Sequence, residues 1–183
     1  MGYLRQVQSA LPSAEGEASC VAVYQRELDY LLETLQRLGT SPREIEDLAH
    51  EVFLVLLRKW SDLDLSRPFR PYLFAIAFRV VCTHRRRSRR EVPYGYVDAE
   101  DQATGPEESL QSKESTRLLM AALDMVPLPR RAVVVMHDLD GLSIVEVAAR
   151  LSLTRFGVYT RLRKARKELA SALRRMLRER VTE

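Results

Sequence analysis

Ser143-Ile144-Val145-Glu146-Val147-Ala148-Ala149-Arg150-Leu151-Ser152-Leu153-Thr154-Arg155-Phe156-Gly157-Val158-Tyr159-Thr160-Arg161-Leu162-Arg163-Lys164-Ala165-Arg166-Lys167 is the stretch whose reading decides the fold. Ser143 followed three residues later by Glu146 is a capping box, which predicts a short helix over Ile144–Leu151. Ser152-Leu153-Thr154 then makes a tight turn, and Thr154 is placed to cap the next helix. In that second helix Val158, Leu162, Ala165, Leu169 and Leu173 share an inward face. Phe156, Thr160, Arg163 and Lys167 lie roughly opposite, flanked by Tyr159 and Lys164. A short helix, a tight turn and a basic helix with a polar outer stripe predict a helix-turn-helix. Outward side chains at Thr154, Arg155, Phe156, Tyr159, Thr160, Arg163 and Lys164 are the candidates to enter a major groove, where arginine reads guanine and others position phosphates. Ser152 stands where such turns often carry glycine, so the turn is expected to form without a residue at positive φ. An ordinary helical hairpin with a solvated basic face is the competing reading.

Outward from this motif the chain reads as all-α, with few strand patterns and little glycine. Val23, Leu28, Leu31, Leu32, Leu35 and Leu38 recur at helical spacing from Cys20 to Leu38. Gly39-Thr40-Ser41-Pro42 stops that helix and starts another, with Ser41 as its expected N-cap and Pro42 at the first helical position. The second helix is expected from about Arg43 to Trp60, and a third from Phe69 or Arg70 into the arginine run. Glu91–Gln111 changes character: Pro93, Gly95, Gly105 and Pro106 stand among acids and small polar residues, as in a flexible linker. Helical spacing resumes at Leu118, Leu119, Ala122 and Leu123, breaks at Val126-Pro127-Leu128-Pro129, and returns over Arg130–Asp138. The expected organisation is an N-terminal extension (1–19), a helical domain (20–90), a flexible acidic linker (91–112) and a second helical domain with the helix-turn-helix (113–183).

At 183 residues with 46% apolar content, the chain builds one domain or two small ones with a modest core. The net charge of +4 is a weak signal, and its distribution matters more. Five of the six residues from Arg85 to Arg90 are arginine, and the stretch after Arg155 is again basic, whereas acids gather at Glu44–Glu51 and Asp98–Glu108. Two separated basic stretches suggest two contacts with a polyanion, because each Lys or Arg near a phosphate releases condensed counterions. A basic helix on a membrane surface is the competing source of such a pattern. The first twenty residues lack a secretory h-region, and Val52–Leu57 and the other apolar runs are far shorter than a membrane span, so no membrane insertion is expected. Cys20 and Cys82 make no disulfide framework or metal-spacing motif, which fits a reducing cytoplasm.

Catalytic machinery is not expected. There is no nucleotide-binding glycine loop, triad or metal cluster, and no cofactor is implied. His50-Glu51 starts like a zinc-protease motif, but no second histidine follows at the required spacing. Asp138, Asp140 and Gly141 resemble a fragment of a calcium loop with an incomplete ligand series, so a turn is expected there.

Leu142–Leu151 followed by Val158–Arg166 closely resembles the promoter −35-reading domain of the extracytoplasmic-function (ECF) sigma factors of RNA polymerase. Pro127-Leu128-Pro129-Arg130-Arg131-Ala132-Val133-Val134 resembles the helix that opens that domain. Departures are Ser152 for glycine, and Arg155-Phe156-Gly157 where a small-residue sequence is usual. In the N-terminal half, Ile45-Glu46-Asp47-Leu48-Ala49-His50-Glu51-Val52-Phe53 is similar to the family's polymerase-binding segment, with His50 where glutamine is common. The resemblance implies that Asp47, His50, Glu51 and Phe53 dock on the clamp of core RNA polymerase. Asp47 and Glu51 are four apart, so their carboxylates share one helix face and suit a basic partner. Phe69-Arg70-Pro71-Tyr72-Leu73-Phe74-Ala75-Ile76-Ala77-Phe78-Arg79 resembles the −10-element helix and its preceding loop, with Arg79 where the family often has asparagine. Phe69, Arg70, Tyr72, Phe78, Arg79, Arg85 and Arg86 are the implied −10 contacts, supplying aromatic surfaces for unstacked bases and cations for the backbone. Several aromatics must also build the core, so only one or two are expected to touch DNA.

The resemblance covers roughly residues 20–90 and 113–178. It implies a non-enzymatic sigma factor that works at the nucleoid. Its partners would be core polymerase, double-stranded promoter DNA, unpaired non-template DNA at −10 and, as in many relatives, an anti-sigma factor masking the polymerase-binding face. The tether would mimic nucleic-acid charge in the polymerase channel. A stand-alone helix-turn-helix regulator is the main alternative; a small nucleic-acid-processing enzyme and a membrane-surface helical protein stand further off.

Overall fold

The computed structural model describes residues 14–64, 66–91 and 110–181, and among them all regular structure is helical. Most of the expected extension and nearly all of the expected linker lie outside the described residues. Four helices come from the N-terminal half: α1 (Ala14–Arg26), α2 (Leu28–Arg37), α3 (Ile45–Lys59, followed by a tight turn Trp60–Asp62) and α4 (Arg70–Glu91). Four more come from the C-terminal half: α5 (Leu110–Asp124), α6 (Leu128–Val134), α7 (Ile144–Leu151) and α8 (Arg155–Val181).

Apolar side chains at three- and four-residue spacing place one stripe of each helix inward. Leu31, Leu35 and Leu38 belong with Leu48, Val52 and Leu56 of α3 and Leu73, Phe74, Ala77 and Val81 of α4 to the N-terminal part of the apolar core. Ala132–Met136, Val147, Val158, Leu162 and Ala165 continue the same core through the C-terminal half. Each fully buried leucine or phenylalanine contributes about 1.5–3 kcal/mol through the water it sheds.

The local chemistry of the C-terminal half explains its boundaries. Pro127 caps α6, its carbonyl accepting from the Arg130 and Arg131 amides at 2.8 and 2.9 Å. After Val134 the helix widens by one residue per turn over Val135–Leu139, so the helix expected over Arg130–Asp138 begins two residues earlier and ends in this π-type turn. The expected capping box at Ser143 and Glu146 is formed in both directions. Ser143 donation holds the Glu146 carboxyl below its usual range.

Three expectations need correction. The helix expected over Cys20–Leu38 breaks at Glu27, whose backbone leaves the α region (φ −100°, ψ 8°) while its carboxylate turns inward to take Arg70 at 2.8 Å and Arg26 at 3.0 Å. Ser41 does not cap α3: its hydroxyl donates to Glu44 at 2.6 Å, residues 42–44 form a turn, and the helix proper begins at Ile45. The turn before α8 does use a left-handed residue, because Ser152 itself sits at φ 55°, ψ 47° and closes α7. A serine held there carries a conformational cost that glycine does not. Ser152→Gly is therefore expected to stabilise the protein by about 1 kcal/mol, a rise of roughly 2–4 °C in Tm, in a calorimetric scan.

The two halves pack on one another, α2 against α5 and α4 against α7. Tyr30 of α2 donates to Asp140 at 2.9 Å, and Arg37 donates to the other oxygen of the same carboxylate at 3.3 Å. Burial pushes the Asp140 carboxyl above its usual range, while these two donors pull the other way. Gly39, at φ 78°, lies beneath the Arg131 guanidinium; a Cβ at this position would fall onto that group and within 2.7 Å of the Asp124 carboxylate. The carboxylates of the calcium-like fragment are thus committed to protein donors: Asp140 to Tyr30 and Arg37, and Asp138 to Arg166 at 2.6 and 2.9 Å.

Candidate nucleic-acid interface

The outer face of α8 starts from its cap. The Gly157 amide donates to the Thr154 hydroxyl at 3.0 Å, so this side chain fixes the helix N-terminus. Phe156 is 80% exposed and Tyr159 60%, whereas Val158, Leu162 and Ala165 are buried beneath them. Arg155, Arg163 and Lys164 are exposed alongside. Thr160 is half-buried and lines, with Phe156, Arg161 and Lys164, a shallow cleft of about 400 Å³ walled by Pro127 and Pro129. The basic residues around this face differ in what they touch. Arg166 grips Asp138, and Arg130 grips Glu168 at 2.8–2.9 Å, so these two tie helices together. Arg155, Arg163 and Lys164 face solvent beside a protruding aromatic pair, a surface that suits phosphates and base edges.

The second candidate surface surrounds the start of α4. Trp60 is buried and its ring meets the edge of Phe69 at 6.3 Å; Phe69 in turn lies 6.5 Å from Tyr72. Phe69 and Tyr72 open with Asp62, Leu63, Asp64 and Arg67 onto a cleft of about 180 Å³. Burial raises the Tyr72 phenol pKa above its ordinary value. Phe74 is fully buried and Phe78 is packed against the core, so the cleft singles out Phe69 and Tyr72 among the aromatics of this segment. Arg79 and Arg86 are exposed. Two of the expected backbone cations are engaged within the protein: Arg70 pairs with Glu27 and lies 5.0 Å from the centre of the Tyr30 ring, and Arg85 donates to the carbonyls of Leu38 and Gly39 at 2.9 and 2.7 Å. Arg70 holds the Glu27 carboxyl below its usual range, so this tie is complete at neutral pH and is lost only as pH falls through that lowered range.

On α3 Asp47 and His50 are exposed and Glu51 and Phe53 half-buried. The Phe53 ring rests 4.8 Å from Tyr24, whose hydroxyl donates to the Ala49 carbonyl at 3.0 Å, and this braces α3 against α1. Leu54, next on the same helix, is an exposed apolar side chain that the sequence reading passed over, as is Val21 on α1.

Sequence reasoning also missed Arg150, which reaches the Phe69–Tyr72 cleft from α7. No local signal marks it, since its neighbours there come from far along the chain. Trp60, the brace behind Phe69, carried a signal as the chain's single tryptophan at a helix end. Among the described residues no group of His, Cys, Asp and Glu is placed to hold a metal ion, and no helix is long and apolar enough to cross a membrane.

Residues 23–91 match the family described as Sigma-70 region 2, and residues 116–169 match Sigma-70, region 4. The chain is 30% identical over 174 residues to the ECF RNA polymerase sigma factor SigL of Mycobacterium tuberculosis, covering 90% of this chain and 94% of SigL. It is 27% identical over 171 residues to the ECF RNA polymerase sigma factor SigW of Bacillus subtilis, covering 86% and 88%. Among solved structures it is similar to the sigma factor RpoE of Bartonella quintana bound to the anti-sigma factor NepR, with a TM-score of 0.63 and 21% identity over 82% of this chain and 96% of that one. It is also similar to CnrH bound to the cytosolic domain of CnrY, with a TM-score of 0.59 and 20% identity over 86% and 88%.

Proposed function

Because this chain belongs to the ECF RNA polymerase sigma factors, which direct promoter-specific transcription initiation, we propose that its two helical halves divide that task between them. The first half, residues 20–90, binds core polymerase through Asp47, His50, Glu51 and Phe53 and captures unpaired non-template bases of the −10 element. Phe69 and Tyr72 receive the bases, and Arg79 and Arg86 track the backbone. The second half, residues 113–183, reads the −35 duplex through Thr154, Arg155, Phe156, Tyr159, Thr160, Arg163 and Lys164. Arg70 and Arg85 brace the first half, holding Glu27 and the end of α2.

The observation that carries the −35 assignment is the exposure of Phe156 and Tyr159 beside three cations, on the outer face of a helix whose inner face is buried. Large aromatics left in water on a helix-turn-helix suit contact with base edges and thymine methyl groups. The chain performs no phosphodiester chemistry of its own; binding energy for extruded bases drives melting and the polymerase makes the bonds. It acts in the cytoplasm at the nucleoid. An anti-sigma factor is a further partner, supported by the structures of RpoE with NepR and of CnrH with CnrY. A stand-alone regulator is disfavoured by the acidic α3 face, for which a duplex-only reader has no use.

The test is transcription in vitro with core polymerase on a genomic promoter library, with and without the protein. New start sites sharing a −35 and a −10 element are expected only in its presence. An unchanged set of transcripts contradicts the proposal.

A further inference from the structure

We propose that the cleft between the start of α6 and the start of α8 seats one sugar–phosphate unit of the DNA strand beside the −35 element, with Arg161 as its positioning residue. The inference rests on the −35 reading above and adds to it a contact that carries no sequence information. The cleft has two unlike walls. Pro127 and Pro129 at the start of α6, with the Phe156 ring, present apolar surface, whereas Arg130, Arg161 and Lys164 present charge. A deoxyribose suits the first wall and its phosphate the second. At about 400 Å³ the cleft has the room of one small ligand. Its aromatic wall comes from Phe156, in the stretch where this chain departs from the small residues usual in the family.

The charge of the cleft is not balanced from within the protein. Arg130 commits its guanidinium to Glu168, at 2.8 and 2.9 Å. Arg161 is half-buried and Lys164 exposed, and neither meets a carboxylate among the described residues. A half-buried guanidinium has already shed part of its water, so an entering phosphate supplies the acceptor it lacks. Gly157 keeps the floor of the cleft open. It stands in the first turn of α8, where glycine is a poor helix former, and a Cβ there would lie 3.1 Å from the Thr154 hydroxyl that caps the helix. Gly157, Arg161 and Lys164 follow one another at four- and three-residue spacing, so they line one side of α8. Arg161 lies roughly 160° round the helix from Arg163, at 3.6 residues per turn. Arg163 stands with Tyr159 on the face offered to base edges, and Arg161 is left to the flank, where a strand backbone borders the groove.

Full-length protein bound to core polymerase decides this on a labelled duplex carrying a −35 element selected from the promoter library, titrated beside a duplex with that element scrambled. Arg161→Ala is expected to weaken both duplexes by the same factor, about tenfold, and to lower the salt slope by about one. Arg161→Lys is expected to keep the slope. Methylphosphonates placed singly along each strand remove one charge at a time. One position flanking the element is expected to weaken the wild type and to leave binding by the Arg161→Ala variant unchanged. Should Arg161→Ala melt early, Arg161→Gln repeats these measurements with most of the side-chain stem in place. A loss confined to the selected duplex overturns the seat, because Arg161 would then read a base. So does an unchanged slope with no phosphate whose neutralisation separates the wild type from Arg161→Gln. In both cases a wild type that prefers the selected duplex keeps the −35 reading. A wild type that binds both duplexes equally overturns that reading, and the seat with it.

Discussion

Replacing Arg163 and Lys164 together by alanine is expected to weaken binding to a −35 duplex by about 2–4 kcal/mol, roughly two orders of magnitude at fixed salt, while leaving affinity for core polymerase unchanged. Both side chains are exposed on α8, between the buried Leu162 and Ala165, so their truncation takes little from the core. Arg166, two residues on, is the informative control. Its guanidinium is held by Asp138, so Arg166→Ala loosens the domain and registers in the melting temperature more than in DNA affinity. Fluorescence anisotropy on a labelled duplex at several salt concentrations separates the two. The double variant also lowers the salt slope by about one for each phosphate contact it loses. Equal loss of polymerase binding and duplex binding would contradict the division of labour.

The second large effect is expected from charge reversal on α3. Asp47→Arg with Glu51→Arg turns an acidic face basic, and like charges set against one another across an interface cost several kcal/mol. Core polymerase binding is expected to fall by more than a hundredfold, with −35 duplex affinity retained. Asp47 lies in the first turn of α3, so its reversal costs up to about 1 kcal/mol against the helix dipole. That penalty lowers the melting temperature by a few degrees without unfolding the chain. Co-migration with core polymerase on a native gel or a sizing column reads the outcome. Retention of a stable complex by the reversed variant would move the docking surface elsewhere, with the exposed Leu54 and Val21 as the next places to look.

How legible all this was depended on how local each determinant is. The helix-turn-helix was readable because its signals lie within four residues of one another: the Ser143–Glu146 box, the Thr154 cap and the spacing of Val158, Leu162 and Ala165. Local rules misled where tertiary contacts prevail. Ser152 takes a left-handed conformation because α7 must end there, whatever residue is supplied. Glu27 breaks an otherwise unbroken apolar periodicity because it turns inward to an arginine 43 residues away. Ser41 forgoes the cap to hold Glu44, which also receives His84 of α4 at 2.8 Å. In the candidate sites, residue types were legible but their allegiance was not. Arg70 and Arg85 read the same as Arg79 and Arg86 in the sequence, yet Arg70 pairs with Glu27 at the surface and Arg85 donates to the carbonyls that follow α2. The contact of Tyr30 with Asp140 was invisible for the same reason, since the two are 110 positions apart.

Permanganate footprinting of a start site selected from the promoter library tests the central claim most directly, because the reagent oxidises only unstacked thymines. With core polymerase and the wild-type protein, thymines around −10 are expected to become reactive. That reactivity should vanish when Phe69 and Tyr72 are replaced by alanine, yet persist at saturating concentration when Arg163 and Lys164 are replaced. Reactive thymines that survive the loss of Phe69 and Tyr72 would contradict the account, because the bases would then be held by something other than the cleft at the start of α4.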